Sequence, residues 1–496
     1  MPVTSDADAV DPEVGTFDLI LIGTGIAGLN ALYAATYYLP KGARVLLIDE
    51  KDGAGGMWTV AYDFVRLHQP HGMFTVGDLR WNWQKPSDYL AARDEVRNHL
   101  EAALAVVMEK FRVSVRFGHV ATSCEEVSTS EGWKARVAYH PTGQPNSTAT
   151  AMADLAIHAS GLNYQIPEPL ALSSDRVVSI RPQDLTEALQ NRPDAAVCVV
   201  GGGKTGMDTV TSLLDENPVR EIVLLKGKGT NFFSRDKYFP TGMKRWSQGQ
   251  VVSRVFHDMA THFDGDNEDA LIDHFRQHHS VDGSPDNRLF VFGILSEAEK
   301  ARIERGATAI IGDYLSDVRD TANGPEMVLR SGATRQVADG TIVVNCTGTV
   351  FRTATVSDAG SCVSPHDTIL TIAPHRSVHV LTSVGGFFLT HLHFRGRLRS
   401  SGMYVLDQSA LFLANRMAWV GAACAQSYLN QVLAVQTLPF LLLNQCGLDM
   451  DRWHPFPRRA IAFAKLKLGA KKDIAHCQRA LDRVAERFDA HCRPVA

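Results

Sequence analysis

The chain has no uninterrupted apolar run of the length a bilayer crossing needs, which excludes a transmembrane helix at the level of sequence. The nearest stretch, Ala410 to Leu443, is broken by Asn415, Arg416, Gln426, Asn430, Gln431, Gln436 and Pro439 and reads as buried helices. Cysteine is sparse and scattered, 8 residues with none in a C-x-x-C pair, so neither a zinc cluster nor a redox dithiol is visible. A reducing, cytoplasmic setting is the expectation. Positive charge is not in excess: 50 basic against 54 acidic residues leave −4, which gives no footprint for nucleic acid. Residues 1–15 are acidic and small, lack an apolar signal core, and read as a disordered tail. A hydrophobic content of 45% is that of a globular protein, and 496 residues call for two or three domains.

Two glycine fingerprints carry most of the information. Gly23-Thr24-Gly25-Ile26-Ala27-Gly28 follows the apolar run 17–22, and Gly201-Gly202-Gly203-Lys204-Thr205-Gly206 follows 196–200. Each fits the G-x-G-x-x-G turn, whose glycines let the backbone approach a pyrophosphate attracted by the next helix N-terminus. Two such turns, 178 residues apart (201 minus 23), imply two dinucleotides in one chain and electron transfer between them.

Around the first turn, residues 17–50 read as a βαβ unit with a helix from 26 to 38 and a strand over 44–49. Strands are predicted near 111–117, 134–139 and 154–159, with turn chemistry at 141–147. A second βαβ unit spans 196–225. Residues 230–300, rich in His, Asp and Asn, read as an irregular or helical insertion, 341–345 as a strand, and 450–496 as helical. The expected architecture is α/β, with two Rossmann-like, doubly wound dinucleotide-binding domains. The first dinucleotide-binding domain is expected over 16–165 and 336–445, the second inserted over 166–335, and 446–496 as a C-terminal helical segment.

A nucleotide turn is followed about 20 residues later by a carboxylate for the adenosine ribose. Asp49 lies 21 residues after Gly28 (49 minus 28), with Glu50 next to it. An acid there repels a 2′-phosphate, so the first nucleotide is FAD or NAD. Gly55-Gly56-Met57-Trp58 then forms a Gly-Gly-x-Trp loop that a generic nucleotide fold does not need. Asp49 through Trp58 resembles the FAD segment of the flavin-containing monooxygenases and their Baeyer–Villiger relatives. The stretch Leu67-His68-Gln69-Pro70-His71-Gly72-Met73-Phe74 with Asp78 resembles that family's flavin-facing loop, many members carrying Asn where this chain has His68. The resemblance implies that His68 or Gln69 hydrogen-bonds the flavin's reacting edge. Val120, just past the strand at 111–117, joins the cofactor-binding set.

The second unit lacks the acid. Its second strand ends in Lys226-Gly227-Lys228, where cations neutralise a 2′-phosphate, and Arg235 follows close behind. FAD first and NADPH second is the reading, with Lys204 and Thr205 within reach of the second pyrophosphate. Ser160-Gly161 and Thr347-Gly348 resemble the family's outbound and return crossings between the two domains. Arg352, four residues beyond Gly348, is at the place where a Baeyer–Villiger arginine would support a peroxide anion, or is a plain strand-end charge.

The resemblance also has gaps. The F-x-G-x-x-x-H-x-x-x-(W/Y)-type signature expected before the second fingerprint is replaced by Ser173–Asp184 (SSDRVVSIRPQD). What the resemblance implies is a flavin- and NADPH-dependent monooxygenase. It would insert one atom of O2 into a small organic substrate through a flavin C4a-(hydro)peroxide, as N- or S-oxygenation, Baeyer–Villiger reaction or oxidative decarboxylation. The alternatives are an FAD/NAD(P)H dehydrogenase or oxidase without oxygen transfer, and a non-enzymatic NADPH-sensing module. Disulfide reductases need a flavin-adjacent cysteine pair, which is absent from the sequence. No metal is expected, because His278-His279 and His391-Leu392-His393 lack a helix-spaced or Cys-containing partner set. The basic stretch 458–472 reads as a helix packing Ile461, Phe463 and Leu466 on the body, with contact to an acidic membrane surface as the other reading.

Overall fold

Thr16–Ile22 becomes fully buried along its second half, as expected of a strand covered on both faces. In the computed structural model, which describes residues 15–162, 166–282, 284–287, 289–348, 351, 360–444 and 446–495, this run is β1. A glycine turn leads into α1 (Ile26–Ala35), and β2 (Arg44–Asp49) returns parallel to β1 with Leu19 opposite Val45. Then α2 (Arg93–Met108) delivers β3 (Arg112–Phe117) to the edge beside β2. An antiparallel meander follows: β4 (His119–Thr129), β5 (Gly132–Pro141) and β6 (Ala149–His158). The last of these strands forks. From Met152 to His158 β6 pairs parallel with β1, while its first half takes β5 and its last three residues take a strand from much later in the chain.

The second unit repeats the plan. It begins with β7 (Val178–Ile180), α3 (Leu185–Asn191), β8 (Val197–Val200), α4 (Lys204–Glu216) and β9 (Ile222–Leu225). A long excursion holds β10 (Thr230–Ser234), α5 (Arg235–Tyr238), α6 (Lys244–Ser247), α7 (Val252–His262), α8 (Glu268–His278) and β11 (Leu289–Leu295). After α9 (Glu297–Gly306) and β12 (Ala309–Ile311) come β13 (Leu315–Thr321), β14 (Gly324–Leu329), β15 (Thr334–Gln336) and β16 (Ile342–Asn345). The parallel sheet runs β12-β9-β8-β16-β7, and β13-β14-β15 form a separate meander. Val318, Met327 and Leu329 of that meander pack on Cys198, Val223 and Val343 of the parallel sheet. Its other face buries Leu185, Val210, Leu213 and Ile303 from the helices.

The chain then returns to the first sheet as β17 (Ile369–Thr371), parallel to β6, so the second unit is inserted within the first. It ends with α10 (Thr382–Phe394), β18 (Tyr404–Leu406), α11 (Gln408–Ala414), α12 (Arg416–Thr437), α13 (Phe440–Asn444), α14 (Phe456–Phe488) and β19 (Cys492–Pro494). α10 lies against α1 so closely that a Cβ on Gly386 would stand 2.6 Å from the Ala27 carbonyl.

The stretch expected to be irregular or helical holds helices, and a further core orders it. Tyr238, Phe263, Phe275 and Phe290 from the excursion pack with Trp419, Tyr428 and Leu481 of α12 and α14. Among the described residues no helix is long and apolar enough to cross a membrane. The expected packing of the basic stretch is corrected for one residue. α14 buries Ala462, Ala470, Asp473 and Cys477, a stripe at helical spacing that includes the partly buried Leu466, whereas Ile461 is 58% exposed on the opposite side. Phe463 meets Phe440 of α13, with ring centroids 6.0 Å apart.

Candidate functional site

The first fingerprint closes where β1, β2 and β6 end. Gly23 has φ +93° and no room for a side chain, since a Cβ would stand 2.3 Å from the Ala159 carbonyl oxygen. A Cβ on Gly28 would be 1.9 Å from the Gly23 carbonyl oxygen, which explains the third glycine as a helix-to-strand contact. Helix α1 starts at Gly25 with no side-chain cap and no acid in its first turn, so its N-terminal N–H groups are open to an anion. Ile26 is partly buried at the first helical position, and Ala27 is buried against α10.

Asp49 is buried at the end of β2. Its Oδ2 accepts from the Thr24 backbone N–H at 2.6 Å and the Thr24 hydroxyl at 2.8 Å, and its Oδ1 accepts from Lys51 N–H at 2.9 Å. The acid therefore orders the turn itself and keeps acceptor capacity on Oδ1. Glu50 is exposed and pairs with Lys51 at 2.9 Å, outside this arrangement. Gly55 donates to the Thr24 carbonyl at 3.2 Å, so the Gly-Gly-x-Trp loop is hydrogen-bonded onto the fingerprint. Trp58 is buried edge-on to Phe74, while Met57 is half exposed. Asn30 of α1 fixes the following loop, donating to the Thr75 carbonyl and accepting from Gly77 N–H at 2.9 Å. Asp78 accepts from the Tyr33 hydroxyl at 2.5 Å. Val120 lies on β4 opposite His140, and Ser160 and Gly161 follow Ala159 at the mouth of the fingerprint.

The second turn has the same construction. Gly201 has φ +132°, and a Cβ there would be 2.6 Å from the Cys346 carbonyl oxygen; a Cβ on Gly206 would be 2.0 Å from the Gly201 carbonyl oxygen. Gly203 faces open space, as a position approached by a pyrophosphate requires, and begins α4 without a side-chain cap. Thr205 is partly buried in the first turn of α4, and its carbonyl accepts from the Thr209 hydroxyl. Lys226 stands directly behind Gly202, whose Cβ would be 2.5 Å from the Lys226 carbonyl oxygen. The Lys226 ammonium reaches Asn287 at 3.4 Å, and Lys228 is exposed beyond it. Thr347 donates its hydroxyl to Asn345 at 2.6 Å, and Asn345 donates to the Glu168 carbonyl at 2.6 Å, tying the return crossing to the outbound linker. Gly348 is exposed next to it; Arg352 lies outside the described residues.

Lys204 of the second turn belongs to a charged cluster, with His68, Arg235 and Glu299, that the sequence reading only partly names. The Arg235 Nε donates to the His68 carbonyl at 2.7 Å, and its Nη1 pairs with Glu299 at 2.7 Å. Its Nη2 is buried without a hydrogen-bond partner. Burial opposes the Glu299 carboxylate, but Arg235 and Lys204 outweigh it and hold its pKa below the usual range. Loss of hydration, then the charges of Lys204 and Arg235, push the His68 imidazole well below its ordinary pKa, so it is neutral at physiological pH. Gln69 is partly buried beside it. Lys204 pairs with Asp208 one turn along α4, and Asp208 also accepts from the Tyr62 hydroxyl at 2.9 Å. Tyr62 lies in the loop after Trp58, so this chain of bonds stitches the first unit to the second fingerprint. Arg235 was visible in sequence only as a cation near Lys228; its place beside His68 comes from the β10 strand end, which no motif marks.

All eight cysteines are free thiols, seven of them buried, and burial pushes the pKa of each well above its ordinary value. A reactive thiolate needs the opposite shift. Apart from the histidine pairs singled out in the sequence, α7 and α8 bring donor atoms of Asp258, His262 and His274 within 4.8 Å of one another.

No protein-family model matches the chain. A stretch of 95 residues, 18% of this chain, is 34% identical to uncharacterised proteins of Mycobacterium tuberculosis and Mycobacterium bovis, and spans 17% of their length. Among solved structures, an oxidized steroid monooxygenase bound to NADP superposes with a TM-score of 0.52 at 14% identity, covering 92% of this chain and 98% of that one. A flavin-containing monooxygenase from Stenotrophomonas maltophilia gives 0.46 at 16% identity, over 77% and 98% of the two chains. A bacillithiol disulfide reductase from Staphylococcus aureus gives 0.44 at 10% identity, over 78% and 99%. The fold is that of the two-dinucleotide flavin monooxygenases.

Proposed function

We propose that this chain is an FAD- and NADPH-dependent monooxygenase that transfers one atom of O2 to a small organic substrate and reduces the other to water. FAD would lie on Gly23–Gly28 with its pyrophosphate at the α1 N-terminus and its ribose at Asp49, beneath the Gly56–Trp58 loop. NADPH would lie on Gly201–Gly206 at the α4 N-terminus, its 2′-phosphate facing Lys226 and Lys228 in place of an acid. Bound flavin supplies hydride acceptance from NADPH and activation of O2. The chain's own residues do the rest. Arg235 holds the His68 loop by its carbonyl and keeps a buried, unpartnered N–H group beside it. His68, kept neutral, can donate or accept a hydrogen bond without carrying charge into the site. The Tyr62–Asp208–Lys204 chain fixes how the second fingerprint faces the first.

The observation that carries this reading is a pair of uncapped glycine turns in two parallel-sheet units, with Arg235 bridging the His68 carbonyl of the first unit and Glu299 of the second while its buried Nη2 has no partner. The raised thiol pKa values weigh against a dithiol reductase. Anaerobic reduction by NADPH followed by rapid mixing with O2 tests the proposal. A transient near-UV species before oxidised flavin returns supports oxygen transfer. Direct one-phase reoxidation with stoichiometric hydrogen peroxide points instead to an oxidase, and flavin that O2 leaves reduced points to a dehydrogenase.

A further inference from the structure

Helices α7 and α8 pair along a seam of imidazoles that the proposed flavin chemistry does not use. Asp258 and His262 are one turn apart on α7, His274 and His278 are one turn apart on α8, and His279 caps α8. The His262 ring stacks on His274 with centroids 3.5 Å apart and planes at 18°, and His278 stacks on the other side at 4.3 Å. Asp258 Oδ2 accepts from His274 Nε2 at 2.6 Å and from His279 Nε2 at 2.7 Å. His279 Nδ1 in turn accepts from the Tyr238 hydroxyl at 2.7 Å.

We propose that Asp258, His262 and His274 bind a divalent first-row transition ion, with Zn2+ the favoured occupant, as a clip between α7 and α8. Their donor atoms already lie within 4.8 Å of one another, and two imidazoles with one carboxylate suit borderline ions such as Zn2+. Two features argue for a built site and against a chance cluster. Asp258 and His262 are i, i+4 neighbours on α7 and His274 comes from the facing α8, so the backbone sets their spacing. The Tyr238–His279–Asp258 chain is a buried outer shell that orients the carboxylate, an arrangement typical of metal ligands. Asp258 is one negative charge among four imidazoles, and the ion takes the place of the proton that His274 Nε2 now shares with it. Tetrahedral coordination leaves a fourth position for water beside His262, which is half exposed.

The test uses the full chain, flavin-loaded, with any purification tag removed and metals stripped by a chelator. Titration with ZnCl2, and with Co2+ as a visible probe, is expected to give one equivalent bound and intense cobalt d–d bands. His262→Ala, at an exposed position that leaves the fold intact, is expected to weaken Zn2+ binding at least about tenfold and abolish the bands. Asp258→Asn is expected to do the same, with thermal melting confirming that it is folded. Absence of saturable binding in the wild-type chain, or equal affinity in wild type, H262A and D258N, overturns the proposal.

Discussion

The Cα of Gly56 lies 3.3 Å from the point where a side chain on Gly25 would begin. The contact is reciprocal: Gly56 has φ +57°, and a Cβ on it would stand 2.9 Å from the Gly25 Cα. Two loops 31 residues apart (56 minus 25) thus meet backbone to backbone over an open helix N-terminus. Gly25→Val is expected to leave a folded, colourless protein by pushing the Gly-Gly-x-Trp loop off the turn. Full retention of flavin in the visible spectrum contradicts the assignment of this turn.

Lys226 stands where an acid would favour NADH. Lys226→Glu reverses the charge behind Gly202 and is expected to raise the NADPH Michaelis constant at least about tenfold, with a much smaller effect on NADH. Equal changes for the two nucleotides refute the charge argument.

Arg235→Lys keeps a positive charge for Glu299 but cannot grip the His68 carbonyl and Glu299 together. The expected result is normal flavin content with flavin reduction or oxygen transfer slowed about tenfold or more. Unchanged rates from both half-reactions place Arg235 outside the chemistry.

Acid should destabilise this protein before its carboxylates titrate. Burial lowers His379 to about 3 and His99, His158 and His391 to about 4, from 6.5. Above pH 6.5 both folded and unfolded forms are neutral, and the folded state has its full stability. As pH falls below that value the unfolded chain takes protons that the folded chain refuses, so stability is lost progressively toward about pH 4. His379 Nδ1 accepts from Leu381 N–H at 3.0 Å and so cannot be protonated without losing that bond. His379→Asn retains an acceptor and removes the titration. Its melting temperature is expected to vary less with pH over this range than the wild type's, and an unaltered slope excludes His379 as a source.

The two dinucleotide units were legible because apolar strands are punctuated by glycines at fixed offsets; β2 falls on Arg44–Asp49, the range read from the sequence. Helix α1 ends at Ala35, short of the expected 38, where Tyr37 and Tyr38 turn away toward His391 of α10. The helices after residue 410 were legible as helices, but not how they pack. Their core joins Phe263 and Phe275 to Trp419 and Leu481, contacts across more than a hundred residues that no local pattern announces. The same gap hid Asp258 and His262, because an i, i+4 pair means something only once the segment is known to be a helix. Arg235 was seen as a charge, but its neighbour His68 lies 167 residues away in sequence.

The most direct test is reconstitution: purified chain is incubated with FAD, desalted, and titrated anaerobically with NADPH. One FAD per chain, bleached by one equivalent of NADPH, is the expected result. A chain that stays colourless, or a bound flavin that NADPH cannot reduce, contradicts the central claim.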